Sequence, residues 1–194
     1  PTAPPHPSTP PPLKVASSTD GAIACADGSS QWITGPSARA HSQMLRASSQ
    51  AILVGSGTAV ADLPRLTLRV ESETLPRDWL PPLRNPLRVV LDGRGVVAEG
   101  PLLDTKLAPT LFFTTEHAEA SAVDLWRQSG AEVVVVGVGT GGKGVHLEEV
   151  LNVLGERGVI QLMVEGGGAI IGSFLSQRLA QQLRMYIGAT ALGS

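Results

Sequence analysis

Short apolar segments alternate with amphipathic, helix-like ones along most of this chain. The apolar segments are Leu13–Ser17, Ala51–Val54, Leu87–Leu91, Thr110–Thr114, Glu132–Val136 and Ile160–Val164. Each has the length and the β-branched or aromatic content of a buried strand, and is too short for a helix. Helical patterns fall between them. Thr34 can cap a helix that starts near Pro36 and runs through Met44 to about Ser48. Ala118–Ser129 stops at Gly130, Leu147–Arg157 stops at Gly158, and Ala169–Arg178 forms a fourth. A repeated strand–helix–strand order predicts an α/β fold with a mostly parallel central sheet flanked by helices.

Composition narrows the class. Fifteen Lys plus Arg against seventeen Asp plus Glu gives a net charge of −2, with no basic excess for nucleic acid. With 42% apolar and 16% charged residues, the chain of 194 residues can bury a sizeable core. The longest apolar run falls short of the ~20 residues a membrane helix needs. One cysteine, Cys25, excludes an internal disulfide framework and a cysteine zinc site. His6, His41, His117 and His146 show no metal-ligand spacing, so no metal is expected. A soluble intracellular domain is the default expectation. Residues 1–12 hold seven of the fifteen prolines and read as a polyproline linker ahead of a domain over 13–194. A second Pro-rich stretch, 70–86, reads as a surface excursion.

Three strands run into loops of small residues: Val54-Gly-Ser-Gly-Thr58, Val136-Gly-Val-Gly-Thr-Gly-Gly142 and Val164-Glu-Gly-Gly-Gly168. Ligands of open α/β sheets bind beyond the carboxyl ends of strands, where glycine amides can approach phosphates. Gly137, Gly139 and Gly142 fit a dinucleotide G-x-G-x-x-G, with Glu165 placed as a ribose-binding acid. The insert Gly141-Gly-Lys-Gly144 and the late position in the chain count against it. The same loop nearly spells a P-loop, but Gly144 lacks the magnesium-binding hydroxyl. Glu165–Gly168 opens straight into a helix whose first amides would attract a pyrophosphate. A purely steric glycine turn accounts for it equally well.

A longer ordered set of motifs goes further. It comprises Lys14-x-Ala16-x-Ser18-x-Asp20-Gly21, Ser29-Ser-Gln-Trp-Ile-Thr-Gly-Pro-Ser-Ala-Arg39, Leu45-Arg46-Ala47, Ala51–Thr58, Ala61–Arg69, Asn85–Asp92 and Val164–Gly168. This set resembles the reductase domain of the riboflavin-pathway deaminase–reductase, over residues 13 to 193. The resemblance implies a dihydrofolate-reductase-like, three-layer fold. It also implies NADPH-dependent reduction of 5-amino-6-(5-phosphoribosylamino)uracil to its phosphoribitylamino product. Arg46 and Arg69 would bind the substrate phosphate, and Ser30 and the Leu66 backbone would also touch substrate. Glu165 would bind substrate and assist proton transfer, and Lys14 matches a family lysine near the substrate. Ala16, Trp32, Thr58 and Asp62 would line the cofactor. The loop Gly167, Gly168, Ala169, Ile170, Ile171, Gly172 and Ser173 would lie on its phosphates, which demotes the loop at Gly137–Gly144. Lys143 and Arg94 are candidates for a 2′-phosphate.

The resemblance further implies an upstream deaminase domain or partner, a homodimer, and no role for nucleic acid or membrane. The compartment would be the cytoplasm, or a plastid for a plant or algal protein. The chain departs from the pattern at Leu63, where the family has a second aspartate. It departs again at Gln181-Gln182, in place of Asp-Glu, and at Ala189, in place of proline. Family members continue past the position of Ser194 with a further strand, so the sheet is expected to lack that strand here. Three rival readings remain: a same-fold reductase with another substrate, a non-catalytic scaffold, and a Rossmann-type oxidoreductase centred on Gly137.

Overall fold

A computed structural model of the chain describes residues 11–25, 33–69 and 84–192. Seven strands and five α-helices follow one another: β1 Pro12–Ser17, α1 Pro36–Ala47, β2 Ala51–Gly55, α2 Ser56–Asp62, β3 Leu87–Leu91, β4 Thr110–Thr114, α3 Ala120–Gln128, β5 Glu132–Val135, α4 Leu147–Glu156, β6 Leu162–Val164, α5 Gly168–Ser176 and β7 Gln182–Ile187. The sheet order is β5-β4-β3-β2-β6-β1-β7, and every described pair is parallel.

The central strands are apolar at successive positions because both of their faces are covered. Leu53, Val89, Leu91, Phe113 and Val164 pack with Val150, Leu151 and Leu154 of α4 and Phe174 of α5. Their neighbours Ile52, Val54, Val90 and Phe112 turn the other way and pack with Ala59 of α2 and Ala122 and Trp126 of α3. Phe112 and Trp126 stack at 4.3 Å, and the indole N–H donates to the Val97 carbonyl at 2.8 Å. Each such large side chain, fully buried, contributes about 1.5–3 kcal/mol. Helices on both faces of one sheet make the three layers of the dihydrofolate-reductase-like fold.

Four boundaries differ from the sequence reading. Thr34 does not cap α1; Gly35 precedes it with no side-chain cap, and Pro36 alone sets its start. The loop read at 54–58 contains the beginning of α2. Gly55 lets it pass Ile170, whose Cγ1 would lie 2.7 Å from a Cβ there. β6 begins at Leu162 because the Gln50 side chain accepts from the amides of Ile160 and Gln161. β7 was not expected. It pairs with β1 over six residues, from Pro12↔Gln182 to Ser17↔Ile187. Most of the Pro-rich head and of the excursion at 70–86 lies outside the described residues.

One charge sits inside the core. Arg88, the second residue of β3, is fully buried. Its guanidinium donates to the carbonyls of Pro101, Asp104 and Ala108 at 2.7–2.9 Å and to Thr110 Oγ1 at 2.6 Å. Among the described residues, no helix is long and apolar enough to cross a membrane, and no His, Cys, Asp and Glu cluster could hold a metal.

Candidate functional site

Strand alternation decides which side chains meet. Leu13 and Val164 face α4 and α5, so Lys14 and Glu165 face the opposite side, where α1 brings Arg46. Arg46 grips Glu165 with both edges of its fork: Nε donates to Oε1 at 2.5 Å and Nη2 to Oε2 at 2.6 Å. Nη1 donates to the Thr67 carbonyl at 3.3 Å. The side chains of Arg46 and Glu165 are only 11% and 7% exposed.

Burial alone would raise the Glu165 carboxyl. The Arg46 charge and hydrogen bonds, then Lys14 and Arg69, outweigh it and hold that carboxyl below the usual range. Burial likewise pulls against the Arg46 charge, and Glu165 more than offsets it, so Arg46 sits above its ordinary value. Burial dominates at Lys14, and its ammonium falls below the usual range despite Glu165. Lys14 Nζ lies 5.9 Å from the centre of the Tyr186 ring, and Tyr186 Oη shares a 2.9 Å hydrogen bond with His41 Nδ1. Burial pushes the Tyr186 phenol up, which keeps its proton on. Three cations around one carboxylate favour an anionic ligand.

A cleft of about 760 Å³ opens at the carboxyl ends of the neighbouring strands. Its walls come from Gly55–Gly57, Asp92–Arg94, Thr115, His117, the loop around Val138–Val145, and Ala169, Ile170 and Ser173 of α5. That volume suits a dinucleotide. Gly167 stands before α5 at φ +68°, and no side chain caps the helix. A Cβ on Gly167 would lie 2.9 Å from Thr58 Oγ1, so Thr58 and the glycine turn are packed face to face. The bare amides and positive end of α5 give an anion its partners. The residues present therefore fit a nicotinamide dinucleotide.

The Gly137–Gly144 loop does not form a phosphate turn. Val138 and Val145 bridge antiparallel, and a Cβ on Gly139 would overlap the Lys143 carbonyl oxygen. The helix that follows is capped by His146 Nδ1, which accepts from the Glu149 amide at 3.4 Å. The loop nonetheless forms a wall of the cleft opposite α5. Asp92, at the end of β3, is buried and spends both oxygens on the amides of Arg94, Gly95 and Val97. Its carboxylate thus holds the turn that follows β3. Arg94 and Lys143 line the cleft on either side of a close approach, where a Cβ on Gly93 would lie 3.3 Å from the Gly144 backbone.

The other expected residues spread more widely. Ala16 pairs with Tyr186, on the same face of the sheet as Lys14. Leu66 is buried at φ +49°, next to the Thr67 carbonyl that Arg46 engages. Arg69 is exposed, and its amide donates to Gln43 Oε1 at 3.0 Å. Asp62 is the exposed last residue of α2 and is not among the cleft's lining residues. In the α5 loop, Ile171 packs toward the core, while Gly168 and Gly172 are exposed. Ser30 and Trp32 lie outside the described residues. His41, Tyr186, Thr115 and His117 were not anticipated. For Tyr186 a signal existed: Leu183, Met185 and Ile187 alternate with Gln182, Arg184 and Tyr186, as in a strand.

The family model described as RibD C-terminal domain matches residues 12–194. The chain belongs to the RibD C-terminal domain family. Riboflavin biosynthesis protein RibD of Chlamydia pneumoniae is 40% identical over 181 residues, which are 93% of this chain and 46% of that protein. The chain thus spans about half the length of the RibD relatives it matches. An Archaeoglobus fulgidus 2,5-diamino-6-ribosylamino-4(3H)-pyrimidinone 5′-phosphate reductase is 37% identical over 183 residues, 93% of this chain and 80% of that protein. Among solved structures, the Thermotoga maritima diaminohydroxyphosphoribosylaminopyrimidine deaminase/5-amino-6-(5-phosphoribosylamino)uracil reductase superposes with TM-score 0.73 at 28% identity. It covers 96% of this chain and 46% of its own. The Saccharomyces cerevisiae riboflavin biosynthesis reductase Rib7 shares the fold, with TM-score 0.68 at 21% identity, over 96% of this chain and 76% of that one.

Proposed function

We propose that this RibD-family domain reduces 5-amino-6-(5-phosphoribosylamino)uracil to 5-amino-6-(5-phosphoribitylamino)uracil with NADPH. The observation that carries this reading is the dinucleotide-sized cleft walled by the start of α2, the end of β3 and the first turn of α5; the buried Arg46–Glu165 pair lies where β6 runs into that same helix. The names of the relatives support it. The bound cofactor supplies a hydride for the sugar carbon attached to nitrogen.

The rest falls to the chain. The amides of Gly167–Ser173 hold the cofactor's phosphates, with Ala16, Trp32, Thr58 and Asp62 along its length. Arg94 and Lys143, which line the cleft, face its 2′-phosphate. Ser30 and the Leu66 backbone orient the substrate, and the cationic cluster draws its phosphate. Lys14, with its proton held loosely, and Glu165 move the proton that accompanies opening of the sugar ring. The domain works as a homodimer alongside a deaminase, in the cytoplasm or a plastid.

The test follows loss of the absorbance of reduced nicotinamide, with the substrate generated in place by a separate deaminase. The undeaminated diaminopyrimidinone runs in parallel, because the Archaeoglobus relative bears its name. Turnover of the uracil that is lost in Arg69→Ala is expected. Turnover of the diaminopyrimidinone alone moves the substrate assignment. NADPH binding without turnover of either overturns the reading in favour of a scaffold.

A further inference from the structure

We propose that Tyr186, held in place by His41, is a positioning residue that seals the β7 side of the Lys14 ammonium against water, a role that rests on the reductase reading above. The parallel register sets Lys14 beside Arg184 and Ala16 beside Tyr186, so these four side chains share one face of the sheet. On the β6 side, Glu165 lies within electrostatic reach of Lys14, and α1 brings Arg46 and His41 over the same face. On the β7 side stand Arg184 and Tyr186. Arg184 turns back along its own strand, where Nε donates to Gln182 Oε1 at 3.4 Å. Tyr186 reaches across to α1 instead. Its Oη and His41 Nδ1 share a 2.9 Å hydrogen bond, and the two rings meet edge to face at 5.8 Å. That contact joins β7 to α1 across the face that carries Lys14.

An ammonium serves as a proton donor near neutral pH only when its pKa is brought down toward that range. Exclusion of water does this, and burial is the largest influence on Lys14. Glu165 opposes the fall and Arg46 assists it. The centre of the Tyr186 ring lies 5.9 Å from Lys14 Nζ, the outer limit of a cation–π contact. At that distance the ring attracts the charge weakly, and its exclusion of water prevails. A ring on an exposed strand covers a neighbour reliably only when its far end is fixed, and His41 supplies that anchor. The site then has one partner that balances the charge of Lys14, Glu165, and another that keeps it dry.

The proton affinity of Lys14 is readable without substrate. Acetic anhydride labels free amines and not ammonium ions, so the pH midpoint of acetylation at Lys14 reports it. Mass spectrometry follows the label, with the exposed Lys106 and Lys143 as internal standards. Profiles of kcat and KM against pH run alongside. Tyr186→Leu should move the midpoint up and carry the alkaline limb of kcat up with it. It should lower kcat about tenfold, a fraction of the ~10²–10⁴-fold that a placed general acid supplies, with KM nearly unchanged. Tyr186→Phe keeps the ring and loses its anchor, so its midpoint should fall between the parent and Tyr186→Leu. His41→Ala should match Tyr186→Phe, and the double variant should go no further than either single one. An unmoved midpoint in Tyr186→Leu overturns the proposal, as does a Tyr186→Phe midpoint as high as that of Tyr186→Leu. Should Tyr186→Leu fail to fold, His41→Ala decides, because it frees the ring and leaves the sheet intact: a raised midpoint supports the proposal, and an unmoved one overturns it. If the parent turns over no substrate, the reductase reading fails, and the acetylation midpoints still decide what Tyr186 does to Lys14.

Discussion

Replacing Arg88 by methionine tests whether a charge buried in a core strand stabilises this fold. The side chain is fully buried, and its four shortest hydrogen bonds run to Pro101, Asp104, Ala108 and Thr110. Two longer contacts reach the carbonyls of Arg65 and Leu102, at 3.4 and 3.5 Å. Burial holds the guanidinium below its usual pKa, with the Asp104 charge a partial offset.

Methionine fits the volume and removes the cost of burying a cation, several kcal/mol in its favour. Against that, three carbonyls of the 101–108 segment lose their donor. Each costs about 1–3 kcal/mol if water cannot replace it. Thr110 Oγ1 keeps its own bond to the Leu102 carbonyl at 2.9 Å, so it adds little. Bonds to a charged donor are stronger than neutral ones, and the Ala108 carbonyl is deeply buried, so the losses win. A net destabilisation of about 2–4 kcal/mol is expected. For a chain of this size, that lowers Tm by about 4–16 °C, at about 2–4 °C per kcal/mol. Scanning calorimetry of the parent, Arg88→Met and Arg88→Lys measures it. Arg88→Lys should fall between, because a single ammonium nitrogen cannot span the acceptors that Arg88 divides between Nη1 and Nη2. Arg88→Met within about 0.5 kcal/mol of the parent would refute the reasoning, since that is the scatter of inconsequential substitutions.

Four further outcomes are expected. Arg94→Ala and Lys143→Ala should each weaken NADPH about tenfold and leave NADH nearly unchanged, as for loss of one charge-assisted contact of ~1.4 kcal/mol; ratios of kcat/KM for the two cofactors check this. Gly167→Ala places a Cβ at φ +68° and 2.9 Å from Thr58 Oγ1. It should cost about 1–3 kcal/mol of stability and weaken the cofactor, and Thr58→Ala in the same chain should restore only the steric part, read by denaturant titration. Glu165 sits below the usual carboxylate value, so its contribution to stability is fully present above about pH 4.3 and is lost as pH falls through its lower native value. Glu165→Gln should therefore flatten the acid side of the stability profile. Lys14 sits below its ordinary value, so the alkaline limb of activity should lie below about pH 10.4 and vanish in Lys14→Met.

The parts of the fold legible in the sequence are those where burial leaves little choice. Ala51–Gly55 and Thr110–Thr114 are buried at every position and flanked by breakers, so their strands could be read directly. β7 escaped notice because it lies at the edge of the sheet. Leu183, Met185 and Ile187 on one face, and Arg184 and Tyr186 on the other, give only weak alternation. α2 was hidden by Gly55 and Gly57, residues that usually end helices. Glu165, Lys14 and Arg46 could be named from an ordered set of motifs, yet nothing local in the chain says that Arg46 and Glu165, 119 residues apart, form one bidentate pair.

The Gly137–Gly144 loop shows the same limit from the other side. Its glycines match a dinucleotide motif by spacing, and each is explained by local crowding or a positive φ. Gly139 clears the Lys143 carbonyl, and Gly141, Gly142 and Gly144 all sit at positive φ. Spacing alone cannot separate a loop that grips phosphates with its amides from one that turns sharply for its own sake. Position in the sheet can. The loop follows β5, the far edge strand, whereas α5 follows β6, which lies between β2 and β1 beside the cluster. A parallel sheet sends every strand's loops to one end, so edge and centre face the same cleft and divide its length between them. The centre holds the turn beside Glu165, and the edge supplies Lys143. A cleft with the first turn of α5 on one wall and the Arg94 and Lys143 cations on the other is a shape that suits an extended dinucleotide.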